Sequence, residues 1–174
     1  MATMSTRARM NRTFPDLLQE VHAAHHASLF RYLNRLSGDP DLAADLVQEA
    51  FVRLYQRGSL PDRPDRWLVT VALNLFRNER SMAGRRRDLR RERARDIAPA
   101  RLPSPVERVE SEEVRARVRA ALDRLPSRDR ELLLLRAEGY GYRDLAAMLE
   151  LREASVGTFL SRAKRAFRAA WGEG

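Results

Sequence analysis

The chain contains no cysteine and only one lysine, Lys164, so its basic residues are almost all arginine. The absence of cysteine excludes disulfides, thiolate metal sites and cysteine nucleophiles. No run of apolar residues approaches the roughly 18 that indicate a membrane-spanning helix, and the N-terminus has no apolar segment of the signal-peptide type. These absences predict a soluble, cytoplasmic protein without a membrane segment.

The chain also lacks the arrangements that carry catalysis or hold a cofactor. It has no carboxylate pair, no Ser/His arrangement and no phosphate-binding glycine loop, so we expect neither enzymatic activity nor a cofactor. The three histidines, His22, His25 and His26, fall in one predicted helix. His22 and His26 could share a metal ion, but no third ligand is evident, and surface or packing roles are favoured.

What the chain has in excess is positive charge. It carries 33 Lys and Arg against 24 Asp and Glu in 174 residues, a formal net charge of +9. This imbalance predicts a polyanionic partner, with nucleic acid favoured over an anionic membrane. Hydrophobic residues make up 44% of the chain, enough for one or two compact domains. No strand-like pattern or repeat occurs, so the predicted fold class is all-α.

Residues 139–168 predict a helix, a tight turn and a second helix. Each helix has an apolar stripe that can pack on the other, comprising Tyr142, Leu145, Ala146 and Leu149 in the first and Val156, Leu160, Ala163 and Phe167 in the second. The second helix keeps a free face with small polar groups near its start and arginines further along, namely Ser155, Thr158, Phe159, Arg162 and Arg165. This layout is typical of a helix-turn-helix that enters a DNA major groove. A helical hairpin with a solvated basic face is the alternative.

The first half predicts a polar tail at residues 1–12, which we interpret as disordered, and three helices. Thr13 and Asp16 form a possible capping box for the first helix, and Asp39 caps a second that ends at Gly58. The third begins near Arg66. Its predicted core side carries Trp67, Leu68, Val71, Leu75 and Met82, and another side carries Arg66, Thr70, Asn74, Arg77 and Asn78. An aromatic and an amide among arginines suit contact with unstacked bases and phosphates.

A change in composition divides the chain into two domains. Arginines crowd after residue 84 and prolines follow at 99, 103 and 105, so residues 84–103 are interpreted as a flexible linker between a domain at 13–83 and a domain at 104–174. Ser104 and Glu107 predict a capping box that starts a helix to about Arg124. Its predicted buried residues are Val106, Val109, Val114, Val118, Ala121 and Leu122. A short helix around Leu132–Leu135 and the helix-turn-helix complete the second domain.

Taken together, the two halves resemble a bacterial RNA polymerase sigma factor of the extracytoplasmic-function (ECF) group of the sigma-70 family. The resemblance covers about residues 14–82 and 104–170. Asp45–Phe51, DLVQEAF, is similar to the family signature D-L-V-Q-E-x-F. The resemblance implies a promoter-specificity subunit that docks on core RNA polymerase at the β′ clamp and the β flap and recognises the −10 and −35 elements of promoter DNA. An anti-sigma protein is a further expected partner.

Further matches imply a role for particular residues. Arg66-Trp67-Leu68 with Asn74 resembles the segment that opens and recognises the −10 element, and Ser155-Val156 with Arg162 resembles the helix that recognises the −35 element. The implied polymerase-binding residues are Asp45, Gln48, Glu49 and Arg53. The implied −10 contacts are Arg66, Trp67, Thr70, Asn74, Arg77 and Arg80, and the implied −35 contacts are Arg143, Ser155, Thr158, Phe159, Arg162 and Arg165.

The sequence departs from the family pattern at several positions. The loop between Tyr55 and Trp67 is short for the family, Gly141 replaces a cap serine, and Glu150 replaces a turn glycine. Two rival interpretations stay open at this point. One is a helix-turn-helix regulator that binds DNA by itself, and the other is a helical interaction protein whose arginines only confer solubility.

Overall fold

Seven helices make up the part of the chain that the computed structural model describes, residues 13–91 and 109–172, with side chains described at 13–82 and 113–172. They are α1 (Phe14–Ser37), α2 (Pro40–Arg57), α3 (Pro64–Arg91), α4 (Val109–Asp123), α5 (Ser127–Ala137), α6 (Tyr142–Leu149) and α7 (Glu153–Gly172). No strand occurs in these ranges, so the all-α prediction is confirmed. The predicted tail, the capping box at Ser104 and most of the predicted linker lie outside the described residues.

The helix boundaries of the first half follow from local hydrogen bonds. The Thr13 amide donates to the Asp16 carboxylate at 3.0 Å, as in a capping box. The Asp39 carboxylate accepts from the amides of Asp41 and Leu42 at 3.0 and 3.2 Å and so caps α2. Gly58 ends α2 in the left-handed conformation, with φ of 72°.

Helices α1, α2 and α3 pack on a common apolar core. Fully buried members include Leu33, Leu36, Leu54 and Leu68. The buried side of α3 differs from the prediction, because Val69, Ala72, Leu73 and Phe76 face the core beside Leu68, while Trp67, Val71, Leu75 and Met82 are only partly buried. Most residues from Trp67 to Phe76 are apolar, so the pattern permits several stripes, and packing against α1 and α2 selects one of them.

Helices α4 to α7 form a second group around α5. Leu132 and Leu135 of α5 are buried with Leu145 and Leu149 of α6 and with Val156 and Leu160 of α7. Two predicted core positions are wrong, because the side chains of Val114 and Tyr142 are 51% and 47% exposed. Tyr142 begins α6 at the edge of this core, and its ring lies next to Gly157 of α7.

The turn between α6 and α7 contains a strained residue. Glu150 ends α6 with φ of 54° and ψ of 49°, and it is the one described residue other than glycine with a positive φ. A side chain in this left-handed conformation costs about 1–2 kcal/mol. The glycine expected from the family pattern is therefore replaced here at a cost in stability.

Glu150→Gly is expected to raise the free energy of unfolding by about 0.5–1 kcal/mol, because relief of left-handed strain exceeds the backbone entropy that glycine loses on folding. Chemical denaturation would measure the change. Glu153→Gly, within the exposed first turn of α7, is the matched control and is expected to lower stability by about 1 kcal/mol. Destabilisation by both substitutions would contradict the role of the left-handed turn.

Candidate nucleic-acid interface

Helix α7 presents the face that the sequence predicts for contact with duplex DNA. Thr158, Arg162 and Arg165 are exposed, and Ser155 and Phe159 are partly buried. Arg143 is exposed on the neighbouring helix α6. The opposite side of α7 is fixed to the second helix group by Val156 and other buried residues, so the predicted free face is present as one surface.

Arg162 is not a free cation on this face. Its Nε and Nη2 atoms donate to the two carboxylate oxygens of Asp129, at 3.2 and 2.5 Å, and the Asp129 side chain is only 3% exposed. This hydrogen bonding raises the pKa of Arg162. The guanidinium also lies 4.9 Å from the ring centroid of Phe159. Asp129 thus fastens α7 to α5, and Arg162 serves this attachment in addition to any contact with DNA.

Helix α3 carries the candidate contacts to single-stranded DNA, with different degrees of exposure. Asn74 and Arg80 are exposed, whereas Trp67 and Thr70 are partly buried. The Thr70 hydroxyl donates to the carbonyl oxygen of Arg66, at 2.9 Å, within the same helix. The guanidinium of Arg80 lies 5.8 Å from the ring centroid of Phe76.

The other two candidate arginines of α3 bind carboxylates of the second helix group. Arg66 forms an ion pair with Asp144 of α6. Arg77 donates to both carboxylate oxygens of Glu131 in α5, at 3.3 and 2.6 Å, and this hydrogen bonding raises the pKa of Arg77. The Glu131 side chain is only 4% exposed. In this structure, therefore, two predicted DNA-binding side chains are paired with carboxylates of the second helix group and are only partly exposed to solvent.

Three further hydrogen bonds join the helix groups. Glu138, after the end of α5, accepts hydrogen bonds from Arg31 and Arg35 of α1 at 3.4 and 3.0 Å. Arg119 of α4 donates to the carbonyl oxygen of Gly38 at 2.8 Å. We call Glu131, Glu138 and Asp144 the acidic row, since each is paired with an arginine of the first helix group.

Two tyrosines lie near the contacts between the two helix groups. Burial raises the pKa of Tyr32, and the nearby Glu131 carboxylate adds to the increase. Burial and the nearby Asp65 carboxylate raise the pKa of Tyr140 to about 12. Within the part of the chain that the structure describes, the Tyr32 hydroxyl has no hydrogen-bond partner although the residue is 1% exposed. An unpaired buried hydroxyl lowers stability.

Tyr32→Phe is expected to raise the free energy of unfolding by about 1 kcal/mol, because it removes a buried hydroxyl whose lost hydration is not replaced. Thermal or urea unfolding would measure the change. Tyr55→Phe, at a site 62% exposed, is the control and should leave stability unchanged. A less stable Tyr32→Phe protein would indicate that the hydroxyl has a partner in solution.

The predicted polymerase-binding residues lie along one side of α2. Asp45, Gln48 and Arg53 are exposed, and Glu49 accepts a hydrogen bond from Arg53 at 2.8 Å. Beside them, Val52 and Tyr55 are 39% and 62% exposed and border a groove between α1 and α2. Exposed apolar groups next to a charged rim are typical of a protein-binding surface.

Two of the three histidines of α1, His22 and His26, border this same groove. The rings of His22 and His26 have centroids 4.7 Å apart, and the ring of His22 lies at the same distance from that of Phe51. Among the described residues, no group of three or more His, Asp or Glu is placed to hold a metal ion. Within these residues there is also no helix of the length and hydropathy needed to cross a membrane.

The acidic partners of the candidate arginines were not predicted as functional residues. Asp129, Glu131 and Asp144 lie 33 to 78 positions from their partners in the sequence. One local signal was available, since Asp129, Arg130 and Glu131 form a charged first turn directly before the buried leucines of α5. All three prove to be buried.

Comparisons with known proteins match both halves of the chain. Sigma-70 region 2 matches residues 21–86, and sigma-70 region 4 matches residues 115–167. The ECF RNA polymerase sigma factor EcfG of Rhodopseudomonas palustris is 37% identical over 87% of this chain and 81% of its own length. SigE of Mycolicibacterium smegmatis is 30% identical over 86% of this chain, a match that covers 59% of SigE.

The fold is similar to that of a solved sigma factor. The sigma factor RpoE of Bartonella quintana, in complex with the anti-sigma factor NepR, superposes with a TM-score of 0.61 at 23% identity. The match covers 90% of this chain and 95% of the other. At this identity the likeness concerns the helical architecture alone.

Proposed function

Because the chain belongs to the ECF sigma factors of the sigma-70 family, it is a sigma subunit of bacterial RNA polymerase, and we propose how its surfaces divide that work. Sigma factors bind core polymerase and promoter DNA as regulatory subunits. The chain itself performs no catalysis in this proposal and acts with polymerase in the cytoplasm. The observation that carries the proposal is the presence of a region 2 match and a region 4 match in one chain.

The exposed side of α2 docks on the β′ clamp of core polymerase. Asp45, Gln48 and Glu49 supply the charged and polar contacts, and Val52 and Tyr55 add apolar area. The charges favour encounter in one orientation, while the apolar area slows dissociation. The β flap is a second contact on core polymerase, made by the helix group α4–α7.

Helix α3 holds the unpaired −10 strand. Extruding a base from the duplex costs a few kcal/mol, and stacking on an aromatic side chain such as Trp67 returns roughly 1–3 kcal/mol per base. Asn74 is exposed for hydrogen bonding, and Arg66, Arg77 and Arg80 neutralise phosphates. Because phosphate contacts release counterions, binding weakens as salt rises.

Helix α7 enters the major groove of the −35 element. Thr158 and Phe159 are suited to base edges and thymine methyl groups, and Arg165 is suited to phosphate. Arg162 is held by Asp129, so it contributes mainly by fixing the helix and the Phe159 ring. The two DNA contacts, joined by one chain on one polymerase, produce specificity through their fixed spacing.

An anti-sigma protein is the expected regulator. The solved relative from Bartonella quintana is bound to one, and this chain exposes the Val52–Tyr55 groove and the recognition face of α7. A protein that covers either surface would prevent holoenzyme formation or promoter binding.

The test compares DNA protection with and without core polymerase. Purified protein, core polymerase and a pool of genomic fragments would be assayed by footprinting. The proposal expects protection of two upstream elements only when both proteins are present. Strong, sequence-specific protection by the isolated chain would instead support a stand-alone helix-turn-helix regulator.

A further inference from the structure

Lys164 is the only lysine of the chain, and it lies on the helix α7 that the proposed function assigns to duplex DNA. Lys164 is exposed, as are Ser161 and Arg168. These three residues recur at spacings of three and four, so they share one side of the helix. The exposed residues Thr158 and Arg165 lie beside them. Lys164 is therefore an additional candidate for contact with the −35 element.

The ammonium group of Lys164 is available for such a contact. Within the part of the chain that the structure describes, it forms no hydrogen bond or ion pair with protein. Arg162, in contrast, donates two hydrogen bonds to the buried carboxylate of Asp129. A lysine in a major groove binds phosphate as a point charge or donates to O6 and N7 of guanine. Loss of the charge at Lys164 would therefore remove a contact with DNA.

Lysine differs from arginine because its amine accepts acyl groups. The neutral amine attacks the carbonyl carbon of an activated acyl donor, whereas the guanidinium of arginine stays protonated in proteins. Every other positively charged side chain of this chain is an arginine, so Lys164 carries the one side-chain amine on which the reaction can occur. Acetylation replaces the ammonium charge with a neutral amide. The site of acylation in this chain thus coincides with the predicted DNA-binding surface.

The arginines around Lys164 favour an acyl donor that is negatively charged. Arg165 follows it directly, and Arg168 lies one turn further along the same side of α7. Cationic side chains raise the local concentration of anions, and guanidinium groups bind phosphate oxygens well. An acyl phosphate combines an activated acyl group with such a phosphate. Its reaction with Lys164 forms a C–N amide bond, breaks the C–O bond to phosphorus, and releases phosphate and a proton.

We propose that Lys164 is a modification site, at which transfer of an acyl group from an acyl phosphate weakens binding to the −35 element. This inference rests on the proposed role of α7. The acylated chain keeps the docking surface of α2 and still binds core polymerase. It loses one cation from α7, so the holoenzyme binds promoter DNA about tenfold more weakly. The salt dependence of binding also falls, by about one counterion.

Acetyl phosphate is the probe for the chemical step. The full chain is incubated with it, and intact mass and peptide mapping locate the acetyl groups. We expect one acetyl group at Lys164, beside any on the N-terminal amine, and none on the side chains of Lys164→Arg. The double variant Arg165→Ala/Arg168→Ala should be acetylated at Lys164 several-fold more slowly by acetyl phosphate, and at an unchanged rate by an uncharged acetyl thioester.

The effect on DNA is measured with a chain that carries Nε-acetyl-lysine at position 164, introduced during translation so that no other group is modified. A promoter fragment located by transcript mapping is titrated with each holoenzyme. We expect about tenfold weaker binding than with the unmodified chain, and unchanged affinity for core polymerase. Lys164→Arg should retain promoter binding. Arg115→Gln, which removes one charge at an exposed position of α4, is the matched control and should also retain it.

The outcomes separate this inference from the proposed function. No acetylation at Lys164, under conditions that modify the N-terminal amine, would overturn the modification site. Equal acetylation rates with and without Arg165 and Arg168 would overturn recognition of the acyl phosphate. Equal promoter affinity with and without acetyl-lysine would overturn the effect on DNA binding. Failure of the unmodified chain to direct core polymerase to any promoter would contradict the proposed function instead, and it would leave the acetylation result unchanged.

Discussion

Asp45→Arg is expected to lower the affinity of the chain for core RNA polymerase by about 100-fold, since like charges brought together at an interface cost several kcal/mol and about 1.4 kcal/mol corresponds to a factor of ten. Asp45 is exposed on α2 between the buried residues Ala43 and Leu46. The substitution therefore changes the predicted docking surface without entering the core. Fluorescence anisotropy with labelled chain and purified core polymerase would measure the affinity.

The matched control is Glu113→Arg, which makes the same charge reversal at an exposed position of α4. We expect this variant to bind core polymerase as the unsubstituted chain does. Both variants should unfold at the same denaturant concentration as the parent. Equal affinities for Asp45→Arg and Glu113→Arg would show that the α2 surface does not dock on polymerase.

Arg162→Ala is expected to lower the free energy of unfolding, and with it the urea midpoint, because it leaves a buried carboxylate without its ion-pair partner. The Asp129 side chain is 3% exposed and both of its oxygens accept from Arg162. The loss is smaller than for a fully buried pair, because the Arg162 side chain is 50% exposed and water can reach the site. Urea unfolding followed by circular dichroism would measure it.

Two companion variants distinguish this structural role from DNA contact. Arg165→Ala, at an exposed position on the same face of α7, should leave stability unchanged and reduce the salt dependence of duplex binding by about one counterion. Asp129→Asn combined with Arg162→Ala should recover part of the lost stability, since a neutral amide needs no cation. If Arg162→Ala and Arg165→Ala proved equally stable, the attachment of α7 through Asp129 would be contradicted.

The helices of this protein could be predicted where the signal is local. Thr13, Asp39 and Gly58 act within one turn of their own helix ends, and the structure places each in its expected capping role. The buried side of α3 could not be predicted in the same way, because apolar residues lie on several of its sides. Tyr142 was misassigned because it is the first residue of α6 and lies at the edge of the core, where it is 47% exposed.

The exposure of several candidate residues could be predicted from the sequence, and their contacts could not. The exposed positions of Thr158, Arg165 and Asn74 agree with the sequence interpretation. The pairs Arg77–Glu131 and Arg66–Asp144 join positions that are 54 and 78 residues apart. No periodicity relates such distant charges, and their pairing follows from the packing of one helix group against the other.

The central claim is that this chain directs RNA polymerase to promoters, and run-off transcription tests it most directly. Core polymerase would transcribe genomic fragments with and without the protein, and the 5′ ends of the transcripts would be mapped. We expect new start sites that share two upstream elements at a constant spacing, and we expect Asp45→Arg to abolish them. The same starts with and without the protein would contradict the account.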